Sequence, residues 1–342
     1  MRTLRGSRLS SRARHRLSTE GFGSEVIGDV TRLILVEGFP GSGKSTTAQW
    51  LARQWQLAGR ACRWFYEQQH DHPVVGIPAG ADYKTWEEYF AYRRESWMAF
   101  TAETARGDVL IVMESALLQY SIFVTLRHGV AAEVIVAFLR SVADIIRPLA
   151  PRLVYLATPD PDTAYRTITG QRGERSLIET LLPAYETGEA GEFFRARGLH
   201  GFDGLLAYWR EHNAICERAI ETLELKTLVV DPRDGDWSWR RAAIARFLGL
   251  ALVAEPSLAP GELERWVGRY RVVWKGEVRE STVSVKDGHL IIDGLLWPGN
   301  SLRWKGDNVF DAESWPLEVV FESVAEDGVG RLSVRGPSCA TP

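Results

Sequence analysis

The chain has 342 residues, 45% of them hydrophobic and 25% charged, which is enough for about two globular domains with sizeable cores. A formal net charge of −3 gives no global attraction to nucleic acid or to an anionic membrane surface, and no apolar run approaches the roughly 20 residues that cross a bilayer. Cys62, Cys216 and Cys339 lie far apart and in no metal-ligand spacing, which excludes a disulfide framework and fits a reducing, cytoplasmic compartment.

Residues 1–30 begin with Arg2, Arg5, Arg8, Arg12, Arg14 and Arg16 and no acid among the first 18. No apolar segment of the secretory kind follows, so this stretch is expected to be a disordered basic tail. The first folded element is the apolar run Leu33-Ile34-Leu35-Val36, which reads as a buried parallel strand. It leads into Gly38–Ser45, which fits G-x-x-x-x-G-K-[ST], and a helical pattern starts at Lys44. Gly38, Gly41 and Gly43 let such a loop turn its N–H groups toward phosphate oxygens, and the following helix adds its positive end. Lys44 suits the β- and γ-phosphates and the Ser45 hydroxyl suits Mg²⁺; Ser42 and Thr46 complete the expected nucleotide contacts.

A second strand over 63–66 ends at Glu67, and a polar loop over 68–82 carries His70-Asp71-His72-Pro73. The helix expected over 85–106 is rich in aromatic residues, among them Trp86, Tyr89 and Trp97, and holds Arg93 and Arg94. The strand Val109–Met113 ends in Glu114-Ser115. Residues 116–147 read as two helices broken near Gly129, 152–156 as a strand, and 159–169 as the start of a helix that runs into an Arg-rich segment over 170–176. Two more helical stretches lead to a strand over 226–230, then Asp231-Pro232 and a last helix to about Gly249. Strands alternating with helices imply an α/β domain over 31–250, a parallel sheet with helices on both faces. Pro256 and Pro260 mark a linker over 251–265. Beyond it, 266–342 alternates apolar and polar residues in short runs, over 270–274, 277–285, 289–292, 301–304 and 317–322, with turns such as Asp287-Gly288, the pattern of a small antiparallel β module.

The stretch Leu35-Val36-Glu37-Gly38-Phe39-Pro40-Gly41-Ser42-Gly43-Lys44-Ser45-Thr46 resembles the opening of the P-loop nucleoside and nucleotide kinases, thymidylate kinase especially. The resemblance implies an enzyme that uses ATP and Mg²⁺ to phosphorylate a hydroxyl of a small molecule, nucleoside-like or an antibiotic. Glu67 matches the strand-two carboxylate that acts as general base in deoxynucleoside kinases, and Glu114 matches the strand-three acid that approaches Mg²⁺. Ser115 stands where thymidylate kinases carry an arginine, which weakens the case for a nucleoside-monophosphate acceptor. Arg166, Arg172 and Arg175 resemble the lid whose arginines close over the triphosphate, Arg172 and Arg175 being the catalytic pair with Lys44 and Glu67. His70, His72, Arg93 and Trp97 fall on the substrate side, and Asp231 falls where such kinases place the loop against the nucleotide base.

The β module resembles small lipocalin-like domains through Trp266–Tyr270 and Val283–Ile292. Shaping the pocket, joining copies into a homo-oligomer and packing on the kinase-like half all suit it. Two other readings stay open: a nucleotide-dependent sequestering protein, and a P-loop hydrolase, against which the third strand ends in Glu rather than Asp.

Overall fold

A computed structural model describes residues 31–76, 83, 85–172, 182, 191–231, 236–274, 276–323 and 328–339. Its first unit is a five-stranded sheet built from β1 (Leu33–Gly38), β2 (Cys62–Phe65), β3 (Leu110–Glu114), β4 (Arg152–Leu156) and β5 (Lys226–Val230). The order is β2-β3-β1-β4-β5 and every pairing is parallel. β1 and β3 are buried at every position, which is why both read as unbroken apolar runs.

Period-two alternation sends Leu33 and Leu35 to one face and Ile34 and Val36 to the other. The first face packs on helices α2 (Trp86–Thr104), α3 (Gln119–Arg127), α4 (Ala132–Ile146) and α7 (Gly201–Thr222), with Trp97, Phe138 and Tyr208 in its core. Between α4 and α7 the described chain also carries α5 (Pro161–Arg172) and the short α6 (Glu192–Arg195). The second face packs on α1 (Lys44–Leu57) and α8 (Trp237–Leu248) through Trp50, Leu51, Ile244 and Leu248. Helix starts match their capping chemistry: the Thr85 side chain accepts from the Glu88 N–H, and Asp236 from the Trp239 N–H.

After the short helix α9 (Pro260–Leu263) the second unit begins. It is a closed barrel of β6 (Gly268–Trp274), β7 (Glu277–Lys286), β8 (His289–Asp293), β9 (Asn300–Gly306), β10 (Val309–Ala312), β11 (Glu318–Ser323) and β12 (Val329–Arg335). Neighbours pair antiparallel except at the seam, where β12 runs parallel to β6. The antiparallel pattern expected from sequence is therefore present with one parallel exception, and β10 and β12 are strands it did not show. Asp287 and Gly288 both have positive φ, 51° and 75°, as a two-residue hairpin turn requires. Trp266, Tyr270, Phe310 and Phe321 fill the interior, with Trp266 and Phe321 centroids 4.7 Å apart.

The barrel rests on α1 and on the segment after β2. Gln49 Nε2 donates to the Ala312 and Trp315 carbonyls, both at 2.9 Å, and Gln49 Oε1 accepts from the Ser314 N–H. Thr46 and Ser314 share a 2.6 Å hydroxyl–hydroxyl bond. Arg53 meets Asp311 at 3.0 Å and Glu255 at 3.3 Å. Trp315, buried, packs on Tyr66, and a bridge joins Gln69 to Cys339.

Candidate active site

The phosphate loop follows β1 without interruption. Gly38 and Gly43 are the glycines that the geometry demands: a Cβ at Gly38 would meet the Leu156 carbonyl at 2.6 Å, and Gly43 has φ 90° with the Trp237 indole 2.8 Å from its absent Cβ. Gly43 is the N-cap of α1 and has no side-chain cap, so the opening turn keeps N–H donors for an anion. Lys44, buried, donates from Nζ to the Phe39 carbonyl at 2.8 Å.

Ser45 Oγ donates to Glu114 Oε2 at 2.8 Å, which joins the start of α1 to the end of β3. Glu114 is fully buried, and its other oxygen, Oε1, has no hydrogen-bond partner among the described residues. Burial, then the nearby charge of Glu67, pushes its pKa up to about 8, against the pull of Lys44 and Ser45. Glu67 lies just past β2, half-buried and near enough to Glu114 for the two carboxylates to repel, and its carboxylate accepts from Gln119 Nε2 at 3.0 Å. Lys44, Ser45, Glu67 and Glu114, chosen from separate motifs in the sequence, thus share one locale.

Sequence reasoning assigned no role to two residues that hold this locale together. Glu37, fully buried, accepts from the N–H groups of Leu117 and Leu118 (2.7 and 3.0 Å) and of Gln119 (3.1 Å). It fixes the turn that delivers the Gln119 side chain to Glu67. The available signal was an acid inside an otherwise apolar strand. Burial raises its pKa to about 7, opposed by those three bonds and by Lys44.

Of the expected substrate-side residues, His72, Arg93 and Trp97 lie together in the interior and His70 parts from them. His70 is exposed and bonds Ser338 of the C-terminal segment at 3.0 Å. His72 is buried; its Nδ1 accepts from the Val74 and Val75 N–H groups, so the ring proton resides on Nε2. Burial, then the positive charge of Arg93, holds its pKa down at about 3, so it stays neutral. Arg93 and Trp97 are both wholly buried on α2, with the Arg93 guanidinium 5.2 Å from the Tyr120 ring centre. Arg166, on α5, faces Asp203 at 3.9 Å and the Phe202 ring at 5.0 Å. Asp231 directly follows β5. Arg175 and the Arg172 side chain lie outside the described residues, as does the basic tail.

A cleft of about 420 Å³ lies between α1, α8, the 252–258 segment and the barrel. No phosphate-loop glycine, Lys44, Ser45, Glu67 or Glu114 lines it, so it is separate from this locale. No helix among the described residues is long and apolar enough to cross a membrane.

Sheet order, loop conformation and the Ser45–Glu114 junction decide the architecture together. The fold is P-loop kinase-like. No family model and no curated protein matches the chain. Among solved structures it is similar to deoxyadenosine kinase from M. mycoides with bound dATP, at 18% identity and a TM-score of 0.35, over 63% of this chain and 98% of that one. It is also similar to shikimate kinase from Acinetobacter baumannii in complex with shikimate, at 13% identity and a TM-score of 0.27, over 63% of this chain and 90% of that one. At these values the assignment of the fold rests on the strand order and the loop.

Proposed function

We propose that the protein is an ATP-dependent phosphotransferase acting on a hydroxyl of a small molecule. The observation that carries this reading is Glu67: a carboxylate beside the phosphate loop, oriented by Gln119 and without a cationic partner among the described residues. An acid so placed suits proton acceptance from an acceptor hydroxyl. In the step proposed, the acceptor oxygen attacks the γ-phosphorus, the new O–P bond forms and the bond to the β–γ bridging oxygen breaks. ADP leaves with that electron pair, and the acceptor's proton goes to Glu67.

The loop amides and Lys44 hold the triphosphate in this reading, and Arg166, Arg172 and Arg175 close over it. Ser45 and Glu114 fit Mg²⁺, since the unpartnered Oε1 of Glu114 offers the hard oxygen ligand that ion takes beside a hydroxyl and phosphate oxygens. Bound there, Mg²⁺ would neutralise phosphate charge. A thymidylate-kinase-type acceptor site draws less support, because Ser115, at φ 58°, replaces the arginine. Residues 31–250 hold the chemistry and 251–265 lead to the β module, 266–342. The filled interior of that module favours a brace on α1 over a lipocalin-like cup for a ligand.

The test is transfer from γ-labelled ATP into pooled nucleosides, nucleoside monophosphates, sugars and hydroxylated antibiotics, with Lys44→Ala as control. A labelled small molecule seen only with Lys44 intact is the expected result. ATP binding without product would favour a sequestering protein, and label released only as free phosphate would favour a hydrolase.

A further inference from the structure

Arg93 is a fully buried charge on α2. It is 0% exposed, and Nε and both terminal nitrogens lack a hydrogen-bond partner among the described residues. A guanidinium taken out of water without an acceptor is among the costliest arrangements a protein can hold. The cation–π contact with Tyr120, 5.2 Å from Cζ to the ring centre, gives the charge an attraction but gives its N–H donors no acceptor oxygen. The acids in this region are committed elsewhere: Glu67 to Gln119, and Asp71 to Gln69 and Arg63.

Other orphaned donors gather around it. His72 carries its proton on Nε2, which is buried without a partner among the described residues, and the ring lies close enough to Arg93 to lose basicity from its charge. The Tyr89 hydroxyl, also without a hydrogen-bond partner among the described residues, feels the same charge from one turn earlier on α2. The Trp97 indole N–H, one turn later on the same helix face, has no acceptor among the described residues either. Four side chains thus offer donors in one region while no described acceptor answers them. Tyr120 ties this region to the transfer locale: it follows Gln119, and its hydroxyl feels both Arg93 and Glu67.

We infer that the phosphate acceptor carries an oxyanion, a carboxylate or a phosphate ester, which Arg93 binds with help from His72 and Tyr89 while the acceptor's hydroxyl is presented to Glu67. This rests on the kinase reading above for the hydroxyl's fate, but not for the anion's. Arginine suits the task because its planar fork matches two oxygens of either group at once. The substrate class is then a hydroxy acid or a phosphorylated alcohol, in place of a neutral nucleoside or sugar.

The experiment compares full-length wild type with Arg93→Met, a change that keeps length and removes the charge. Paired acceptors are used: hydroxy acids against their amides, and phosphorylated alcohols against the free alcohols. Binding is read by thermal shift and calorimetry without nucleotide, and transfer is read separately from γ-labelled ATP. We expect one anionic series to bind wild type and to lose about 100-fold in affinity with Arg93→Met, while the variant keeps its ADP affinity. Because no described partner is lost, the unliganded variant should melt no lower than wild type. Which series responds separates carboxylate from phosphate.

Equal binding of charged and neutral members, or anion affinity unchanged in Arg93→Met, would overturn the assignment. So would an unliganded variant that fails to fold, since Arg93 would then be structural; Arg93→Lys, which keeps the charge and loses the fork, should in contrast fold and bind the anion weakly. Label passing only to neutral acceptors would leave the kinase reading standing and remove this one. Arg93-dependent anion binding with no transfer to any acceptor would do the reverse.

Discussion

Glu37, Glu114 and Glu67 are three acids within one small region, and their environments set them different tasks. Glu37 is spent on three backbone N–H groups, whereas Glu67 is held by a single amide and keeps capacity for a proton. Replacing Glu67 with Gln is expected to lower turnover by about 10²–10⁴-fold, the usual contribution of a general base, with ATP affinity near normal in calorimetry. A loss confined to ATP affinity would argue against that role. Glu114 makes a pH-dependent prediction. Its pKa is raised from 4.5 to about 8, chiefly by burial, so its contribution to stability is full below pH 4.5 and is lost as pH climbs toward 8. Glu114→Gln, a stand-in for the protonated acid, should match wild type near pH 4.5 and melt higher above pH 8. A difference in melting temperature that does not change with pH would refute this. Glu37, raised to about 7, acts in the same direction but is common to both proteins.

Among the elements, β1 and β3 were legible because a strand buried on both faces leaves an unbroken apolar run, and the loop was legible because phosphate binding needs glycine at fixed spacing. The broken helical stretch at Gly129 was equally plain, since the glycine there has φ 79° between α3 and α4. β10 escaped notice because it is only four residues long, and β12 because Gly330 interrupts its pattern where the Tyr270 ring leaves no room for a Cβ. The burial of Arg93 was not legible at all: a charged residue in a helix beside a second arginine reads as solvated, and the residues that meet it, Tyr120 on α3 and His72 in the loop after β2, are distant in sequence. Nor does sequence place Trp237, some two hundred residues away from the loop, against Gly43. Its 38% exposure beside the start of α1 makes it a reporter. Its fluorescence should change on ADP binding, and Gly43→Val, which drives a branched side chain into the indole at a positive φ, should abolish both the signal and the binding. An unchanged ADP affinity in that variant would show that the loop tolerates the strain.

For the molecule as a whole, the polar part of the joint between barrel and kinase-like unit is concentrated on one helix face, where Thr46, Gln49 and Arg53 recur at helical spacing. Arg53 is mostly buried between Asp311 and Glu255. Removing it as Arg53→Met leaves Asp311 with Lys305 and Glu255 with Arg303 as remaining cations, so the loss is expected to be that of charge-assisted hydrogen bonds, about 1.5–3 kcal/mol. Thermal denaturation should show the loss, and limited proteolysis should cut the 251–265 segment sooner. Unchanged melting and cleavage would mean that the apolar contact of Trp315 with Tyr66 holds the joint by itself.

The parallel seam between β6 and β12 also sets an order of events during synthesis. The first strand of the barrel finds one of its two neighbours only when the last has left the ribosome. Until then the nascent module has two open edges, the kind of surface on which chains join one another. Premature termination just before Val329 would make that interval permanent, leaving Gln49 and Arg53 facing an unfinished partner and an otherwise intact P-loop kinase-like half exposed to aggregation.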